Sequence, residues 1–280
     1  MEIRTLKGVS EKEITRVFNE SFSDYFIPLQ FTEEQLSSKL KADKTDLSLS
    51  VGSFVNGNLI AFILHGFDSI NNENVVYNGG TGVVPKHRGL GLTKQMYQFI
   101  LPILKGKGVN KLILEVIDEN VQAIKSYEKS GFNITRHLAC YNGEATISDI
   151  NDCIEVSKLD HYDWKQLESF WDILPTWQNS TRVVNELKST NISLGAYVNK
   201  QLVGYVIYNP TNNRIQQIAV KKDQRKKGVA STLVSELKKS YGNTFYAINV
   251  DKSHTVANQY FNTIGLKNIL EQYEMELILS

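Results

Sequence analysis

The chain has 280 residues, with 31 basic and 30 acidic side chains and a formal net charge of +1. That balance argues against a nucleic-acid-binding protein, because a strongly basic surface is the usual first sign of one. No apolar run approaches the ~18 residues that span a bilayer, and the first residues are too polar for a signal peptide, so we expect a cytoplasmic protein without membrane contact.

Metal and thiol chemistry are not predicted. Neither Cys140 nor Cys153, the two cysteines of the chain, has metal-ligand spacing or an obvious histidine partner. A zinc site or a thiol nucleophile would need such a pattern, so we expect no metal. The chain length suggests two domains.

The first predicted elements are a strand at residues 2–6 and a helix at 11–22, for which Ser10 is a suitable N-cap. An aromatic loop follows at 22–31, and Thr32 is placed to cap a second helix. Residues 47–55 and 59–67 then alternate between apolar and polar types around Asn56-Gly57-Asn58, which predicts a hairpin.

The stretch from Thr81 to Phe132 carries the main motif. A strand at 75–84 leads into a loop in which Gly89 and Gly91 let consecutive backbone N–H groups point into one concavity at the positive end of the next helix. Such a nest suits a pyrophosphate, although an ordinary strand-to-helix turn has the same two glycines.

After that loop the pattern predicts a helix at 92–104 and a buried strand at 111–116. Asn120 begins another helix that carries Tyr127. A strand at 133–141 then completes the first domain, and a polar connector follows.

The second half repeats the first. It predicts strands at 154–157, 192–198, 202–209 and 214–220 and a helix at 162–174. A second loop, Arg225 to Ala230, then repeats the pattern of Arg88 to Thr93. A repeat of this length indicates two tandem domains of one fold, which we place at residues 1–143 and 150–280.

The order of these motifs resembles that of the GCN5-related N-acetyltransferases, the GNAT family. The resemblance rests on the loop Arg88-Gly89-Leu90-Gly91-Leu92-Thr93, the strand Leu114-Glu115-Val116, Asn120, Ala123-Ile124, Tyr127 and Gly131-Phe132. It implies an α/β (α+β) fold in which each domain is a mixed, mainly antiparallel sheet flanked by helices. It also implies acetyl-CoA as the cofactor. Thr93 departs from the family pattern, which usually has Gly or Ala there.

The resemblance also implies roles for individual residues. In the family the loop binds the pyrophosphate of coenzyme A, the strand before it pairs with the pantetheine arm, and the later tyrosine lies near the thioester sulfur. The implied cofactor-binding residues are Thr81, Val83, Val84, Arg88, Gly89, Leu90, Gly91, Leu92, Thr93, Asn120, Val220, Arg225, Lys226, Lys227, Gly228, Val229 and Ala230. Tyr25 and Phe26 are the candidate substrate contacts, and core packing is an equally good explanation for both.

The two copies differ at the positions that carry chemistry. When they are aligned on Gly131 and Gly265, Glu115 faces Asn249, Asn120 faces His254, and Tyr127 faces Phe261. Tyr260 is next to Phe261, but one step along a helix turns a side chain by about 100°, so we expect it to point elsewhere.

The chemistry of amine acetylation assigns roles to Glu115 and Tyr127. An amine with a pKa near ~10.4 must lose a proton before it attacks, and Glu115 is the candidate base, directly or through water. Tyr127 is the candidate acid for the departing thiolate, and a backbone N–H near Val83 is the candidate oxyanion donor. A structural carboxylate and a core aromatic residue are the alternative interpretations.

Three hypotheses follow. The first is an acetyl-CoA-dependent N-acetyltransferase with its chemistry in the N-terminal domain; the second places the chemistry in the C-terminal domain; the third is a non-catalytic coenzyme A-binding protein. The acceptor is a small-molecule or peptide amine that the sequence does not identify, and we expect a monomer or homodimer.

Overall fold

The computed structural model describes residues 1–25, 29–70, 72–148 and 150–279. Contacts group the chain into two compact units. Unit 1 comprises Met1–Thr135 and Tyr273–Ser280, and unit 2 comprises Arg136–Gln272. Within the described residues, every helix is too short or too polar to traverse a bilayer.

The elements of the first half are β1 (Glu2–Thr5), α1 (Glu11–Ser21), α2 (Glu33–Ala42), β2 (Val51–Val55), β3 (Asn58–Ile70), β4 (Glu73–Val83), α3 (Leu92–Gly106), β5 (Lys111–Ile117), α4 (Val121–Glu128) and β6 (Asn133–Glu144). Those of the second half are β7 (Glu155–Lys158), α5 (Trp164–Glu168), α6 (Thr181–Glu186), β8 (Ile192–Val198), β9 (Gln201–Asn209), β10 (Arg214–Val220), α7 (Val229–Tyr241), β11 (Thr244–Asp251), α8 (Thr255–Thr263) and β12 (Lys267–Ile278). Short 3₁₀ turns precede both pyrophosphate-type loops.

Each unit is built on a mixed, mainly antiparallel sheet, which confirms the predicted fold class. In unit 1 the strand order is β1-β2-β3-β4-β5-β12, and in unit 2 it is β6-β11-β10-β9-β8-β7. The pair β4 and β5 is parallel, as is the pair β10 and β11. The pairs that join β1 to β4 and β7 to β10, and the pair β6 and β11, are antiparallel.

Helices cover both faces of each sheet. In unit 1, α3 and α4 pack on one face through Met96, Ile100 and Ile124, and α1 and α2 pack on the other through Phe18 and Leu36. In unit 2 the clusters under α7 and under α5 and α6 are arranged in the same way. Burial of these side chains from water is the main force that holds each helix on its sheet.

Local signals place the element boundaries near the predicted positions. Ser10 accepts a hydrogen bond from the Glu13 N–H, and Thr32 forms a capping box with Gln35. Asn56 and Gly57 take left-handed φ angles of 50° and 79°, as a two-residue hairpin turn requires.

One helix prediction is wrong. The predicted helix at 162–174 is present only as α5, Trp164–Glu168. Apolar periodicity continues past Glu168, but Pro175 disfavours a helical residue before it, and Asp172 is held by an ion pair with Arg225 at 2.7 Å. The segment after α5 is therefore irregular.

The compact units also differ from a linear division of the chain. The strand predicted at 133–141 was expected to complete the first domain, but from Leu138 onward β6 pairs with β11 in unit 2. The end of β12 instead contributes Met275, which is fully buried, to the core of unit 1. The domain boundaries 1–143 and 150–280, as limits of the sequence repeat, stay a prediction.

Candidate active site

Each unit has a loop of the same backbone shape before its central helix. In unit 1, Gly89 and Gly91 take φ angles of 78° and 69°, and α3 begins after Gly91 without a side-chain cap. In unit 2, Lys226 and Gly228 take φ angles of 57° and 80° before α7. The first N–H groups of a helix have no intrahelical partner, so both loops present donors to an anion.

Lys226 shows that this shape is kept at an energetic cost. A residue other than glycine in the left-handed region is strained by roughly 1–2 kcal/mol. In unit 1 the space before the loop is open, because a Cβ at Gly89 or Gly91 would meet no atom within 4 Å. The loop of unit 1 therefore has room for a diphosphate group.

The strands beside each loop separate to form a V-shaped opening. In unit 1 the β4–β5 ladder ends at Asn78 and Leu114, although both strands continue, and a bulge at Asn78 to Gly80 bends β4. In unit 2, among the residues that the structure describes, β10 and β11 share the single pair Arg214 and Tyr246. The opening therefore begins earlier along the strands of unit 2.

The backbone of Val83 faces the opening. Val84, the residue after β4, donates its N–H to the Ile60 carbonyl, which continues the register of the antiparallel ladder in which Val83 lies opposite Ala61. In such a ladder, neighbouring positions alternate between hydrogen-bonded and non-bonded pairs, so Val83 turns its N–H away from β3. Val83 can thus donate to a group in the opening, whereas Val84 is buried and its N–H is occupied.

Unit 2 contains a cavity of about 1160 Å³. Its wall includes the whole loop Arg225 to Ala230, together with Val220 from β10, Asn249 from β11 and residues of α8. The irregular segment after α5 lines it as well. The cavity therefore joins the loop to the opening between β10 and β11, as a binding site for an extended phosphate-bearing molecule requires.

Tyr127 is buried, but its hydroxyl has polar surroundings. The side chain is 8% exposed and packs edge-on against Tyr97 and Phe132. Burial raises the pKa of Tyr127 to about 12, and hydrogen bonds to Thr81 and Asn78 oppose the rise. Since Thr81 lies on the part of β4 beyond the ladder, Tyr127 lies beside the opening.

Glu115 is the first residue of β5 beyond its ladder with β4. Its Oε2 atom accepts a hydrogen bond of 2.7 Å from the Tyr77 hydroxyl. Tyr77 lies on the neighbouring strand, so the contact fixes the carboxylate at the start of the opening. Glu115 and Tyr127 therefore both lie at the opening of unit 1.

Asn120 is the N-cap of α4 and accepts a hydrogen bond from the Ala123 N–H at 3.1 Å. Its Nδ2 also donates to the Tyr25 hydroxyl at 3.3 Å, which brings the loop after α1 to the start of α4. Burial raises the pKa of Tyr25, and the bond from Asn120 opposes that shift. Phe26, the other candidate substrate contact, lies outside the described residues.

The loop arginines are engaged with protein groups. Arg88 donates through both terminal nitrogens to the Asp24 carboxylate, each at 2.7 Å, and Arg225 pairs with Asp172 at 2.7 Å. The hydrogen bond with Arg88 lowers the pKa of Asp24. The backbone N–H groups of the loops, rather than the guanidinium groups, are therefore the donors left for an anion.

The remaining predicted cofactor residues divide by exposure. Leu92 and Val229 are buried as the first helical residues and anchor α3 and α7 in their cores. Leu90 is 58% exposed at the tip of its loop, and Lys227 is exposed. Thr93 and Ala230 are half-buried at the second position of α3 and of α7.

Unit 2 has neither a tyrosine nor a glutamate at the positions that match Tyr127 and Glu115. Phe261 stacks on Tyr141 with ring centroids 5.3 Å apart. Asn249 has a φ of 59° at an irregular step of β11, where its side chain contacts the Cys140 thiol. Tyr260 lines the cavity, and burial raises its pKa.

Sequence reasoning missed a polar chain in the wall of the unit 2 cavity. The Trp171 indole donates to the Tyr205 hydroxyl at 2.5 Å, and that hydroxyl donates to Gln217 at 2.9 Å. Burial raises the pKa of Tyr205, so its hydroxyl stays protonated. Gln217 on the predicted strand at 214–220 was the available signal, because a polar residue in a buried strand needs a partner.

Comparison with known proteins places both halves in one family. Residues 12–132 match the acetyltransferase (GNAT) family model, and residues 158–279 match an acetyltransferase (GNAT) domain model. No curated protein matches the chain.

Several solved structures share the fold over nearly the whole chain. A GCN5-related N-acetyltransferase from Sphaerobacter thermophilus has 14% identity and a TM-score of 0.75, covering 99% of this chain and 95% of its own. A tandem GNAT protein from the clavulanic acid biosynthesis pathway has 9% identity and a TM-score of 0.72, covering 99% and 98%. A GCN5-related glucosamine N-acetyltransferase region of a fungal multi-domain β-N-acetylglucosaminidase has 13% identity and a TM-score of 0.76, covering 99% and 38%.

The two family matches agree with the duplicated loop, the parallel strand pair that opens beside it in each unit, and the mainly antiparallel sheets. The chain belongs to the GNAT family of acetyltransferases and carries two GNAT domains in tandem.

Proposed function

We propose that the chain transfers an acetyl group from acetyl-CoA to an amine, with the chemistry in unit 1. The observation that carries this proposal is the position of Tyr127, whose buried side chain lies next to Thr81 beside the opening. Glu115 lies at the start of the same opening. Unit 2 has Phe261 and Asn249 at the matching positions, and neither side chain can exchange a proton in this reaction.

Glu115 acts as the base. An amine with a pKa near ~10.4 is mostly protonated at neutral pH and must be deprotonated before it attacks. Glu115 accepts that proton, directly or through water, while the Tyr77 hydroxyl holds the carboxylate in place. Bound acetyl-CoA would supply the thioester and, as leaving group, its thiolate.

Tyr127 acts on the leaving sulfur. Its pKa of about 12 keeps the hydroxyl protonated at neutral pH. A thiol pKa near ~8.5, by analogy with cysteine, is lower, so a hydrogen bond that stabilises the developing negative charge is favoured over complete proton transfer. The Val83 N–H, turned toward the opening, is the donor for the oxyanion.

The test is a comparison of two tyrosine variants. Tyr127→Phe removes the hydroxyl in unit 1, and we expect turnover to fall about 10²- to 10³-fold, the usual contribution of one donor that stabilises a developing negative charge. Tyr260→Phe removes the hydroxyl that lines the unit 2 cavity and serves as the matched control. Thiol release is measured over a panel of amines that includes amino sugars, since one structural neighbour is a glucosamine N-acetyltransferase.

Turnover by Tyr127→Phe equal to that of the unsubstituted protein would contradict the assignment to unit 1. A large loss in Tyr260→Phe alone would favour the second candidate, chemistry in unit 2. That candidate is supported by the cavity of about 1160 Å³ in unit 2, which is lined by the complete loop Arg225 to Ala230. Coenzyme A binding without thiol release from any amine would instead favour a non-catalytic binding protein.

The acceptor is an amine on a small molecule or a peptide in this proposal. Near-neutral charge supports neither a polyanionic nor a polycationic substrate and gives no reason to expect a nucleic-acid partner. Tyr25, which contacts Asn120 beside the opening, is the described residue that we assign to the acceptor wall. A cytoplasmic monomer or homodimer fits this role.

A further inference from the structure

The arginine that opens each loop has an unexpected set of partners. In unit 1 the Arg88 Nε donates to the Val83 carbonyl at 3.2 Å, and one terminal nitrogen donates to the Ser21 carbonyl at 2.9 Å. Both terminal nitrogens also donate to Asp24. Arg88 therefore joins the end of β4, the end of α1 and the segment that follows α1.

The second copy has the same arrangement. The Arg225 Nε donates to the Val220 carbonyl at 3.1 Å, a terminal nitrogen donates to the Phe170 carbonyl at 3.0 Å, and the other pairs with Asp172. Val220 ends β10, and Phe170 follows α5, so the kinds of partner match those of Arg88. The two aspartates end matching segments, Glu20-Ser21-Phe22-Ser23-Asp24 and Glu168-Ser169-Phe170-Trp171-Asp172, so the two copies share this sequence pattern as well as the contacts of the arginine.

The segment that carries each aspartate is also tied to the N-cap of the last helix. In unit 1, Tyr25 follows Asp24 and its hydroxyl accepts from Asn120. In unit 2, Asp172 itself contacts the Nε2 atom of His254, the N-cap of α8, at 3.1 Å. Each segment thus bridges the pyrophosphate-type loop and the start of the last helix.

We propose that Asp24 and Asp172 are positioning residues. Each aspartate holds its loop arginine against the segment that follows the first helix of the unit. The cofactor loop and the neighbouring wall of the opening therefore keep a fixed position relative to each other. The proposal rests on the proposed function only where it treats the segment Phe22 to Tyr25 as an acceptor wall. In this proposal the arginine links the loop to the neighbouring segment, and the backbone N–H groups of the loop bind phosphate.

An opposing model makes the opposite prediction for coenzyme A. In that model the Asp24 carboxylate pairs with the Arg88 guanidinium only until the diphosphate of coenzyme A replaces it. Removing the carboxylate charge would then free Arg88 and tighten coenzyme A binding. If Asp24 instead holds the loop of Arg88 against the wall of the opening, removing its charge makes the preorganised site less ordered and weakens coenzyme A binding. The sign of the change in affinity therefore separates the two models.

The experiment uses the full chain and coenzyme A as the probe. Amide hydrogen exchange is followed at Phe22 and Tyr25, whose N–H groups donate to Phe18 and Phe22, and the dissociation constant is measured by calorimetry. The variants are Asp24→Asn, Asp24→Glu as the conservative rescue, and Asp172→Asn for unit 2. Glu20→Gln is the matched control, because it removes a carboxylate that pairs with Arg16 instead.

For Asp24→Asn we expect exchange at these amides to rise about tenfold and the coenzyme A dissociation constant to rise about threefold, because a charge-assisted bond is lost from a partly exposed site. Asp24→Glu should restore much of both, and Glu20→Gln should change neither. Asp172→Asn should accelerate exchange at the amides of Phe170 and Trp171 only.

Unchanged exchange in Asp24→Asn, or a tighter coenzyme A complex, would overturn the proposal. The exchange measurement needs no turnover, so it decides this proposal even if no amine is acetylated. Failure of the unsubstituted protein to bind coenzyme A would contradict the proposed function, while the exchange result would still stand by itself.

Discussion

His65 is a buried histidine beneath the opening of unit 1. Its Nδ1 lies 2.8 Å from the Leu49 carbonyl, which can only accept, so Nδ1 carries the proton of the neutral ring. Among the described residues, no donor reaches its Nε2. Burial lowers the pKa of His65 from 6.5 to about 4, and the bond to Leu49 opposes that shift. The fold therefore requires His65 to be neutral.

This requirement predicts acid sensitivity. Because the folded-state pKa lies below the unfolded one, the contribution of His65 to stability is present above pH 6.5 and is lost as pH falls toward 4. The loss amounts to about 3 kcal/mol in the free energy of unfolding. His65→Asn keeps a donor for the Leu49 carbonyl. Between pH 7 and 4.5 we expect its free energy of unfolding, measured by urea titration, to drop less than that of the unsubstituted protein. In His161→Asn, at an exposed position, the free energy of unfolding should fall as far as in the unsubstituted protein. An equal drop in His65→Asn would refute the assignment.

In each unit, the candidate site for coenzyme A is formed by the loop before the central helix and by the first residues of that helix. Gly89 and Lys226 share a left-handed backbone, although only the first is a glycine. Sequence comparison detected the two loops, but their equal shape is visible only in the φ angles. The loops therefore offer a matched test of which unit uses acetyl-CoA.

Thr93→Glu and Ala230→Glu place a carboxylate at the second position of α3 and of α7. An acidic residue in the first turn favours the helix dipole, so both variants should fold, while its charge repels a diphosphate. We expect Thr93→Glu to lower turnover at least about tenfold and Ala230→Glu to leave it nearly unchanged, with coenzyme A binding to unit 2 lost in the latter. Thiol release and calorimetric stoichiometry measure these effects. The reverse pattern of turnover would move the chemistry to unit 2.

At the scale of the whole molecule, the end of the chain belongs to the first unit. Met275 is fully buried in the cluster that also contains Met96 and Tyr127. Ile269, on the same strand, is 56% exposed and lies in unit 2. A linear repeat therefore does not have the same limits as a folding unit.

Met275→Ala should destabilise unit 1, although the residue lies near the C-terminus. A cavity in a packed core costs about 2–5 kcal/mol for Met→Ala. Hydrogen exchange should lose protection in β5 and retain it in α7, and Ile269→Ala should leave both elements protected. Loss of protection confined to α7 would show that β12 stabilises the other unit.

The features that the sequence predicted correctly are those whose interactions lie within a few residues of each other along the chain. The caps at Ser10 and Thr32 and the turn at Asn56-Gly57 were predictable because their chemistry is complete within a few residues. The irregular segment after α5 was not, because Asp172 is held by Arg225, a partner distant in sequence. The candidate site shows the same division: its residue types were readable, while the partners Tyr77 for Glu115 and Asp24 for Arg88 were not.

The sequence by itself determined the duplicated fold, the two loops and the loss of Glu115 and Tyr127 equivalents in the second copy, since these depend on residue type and spacing along the chain. Only the tertiary structure decided that the arginines hold aspartates and that β12 ends in unit 1. The physical reason is that hydrogen-bond geometry and strand pairing depend on distances in space between residues far apart in the chain, and a local pattern does not encode these distances.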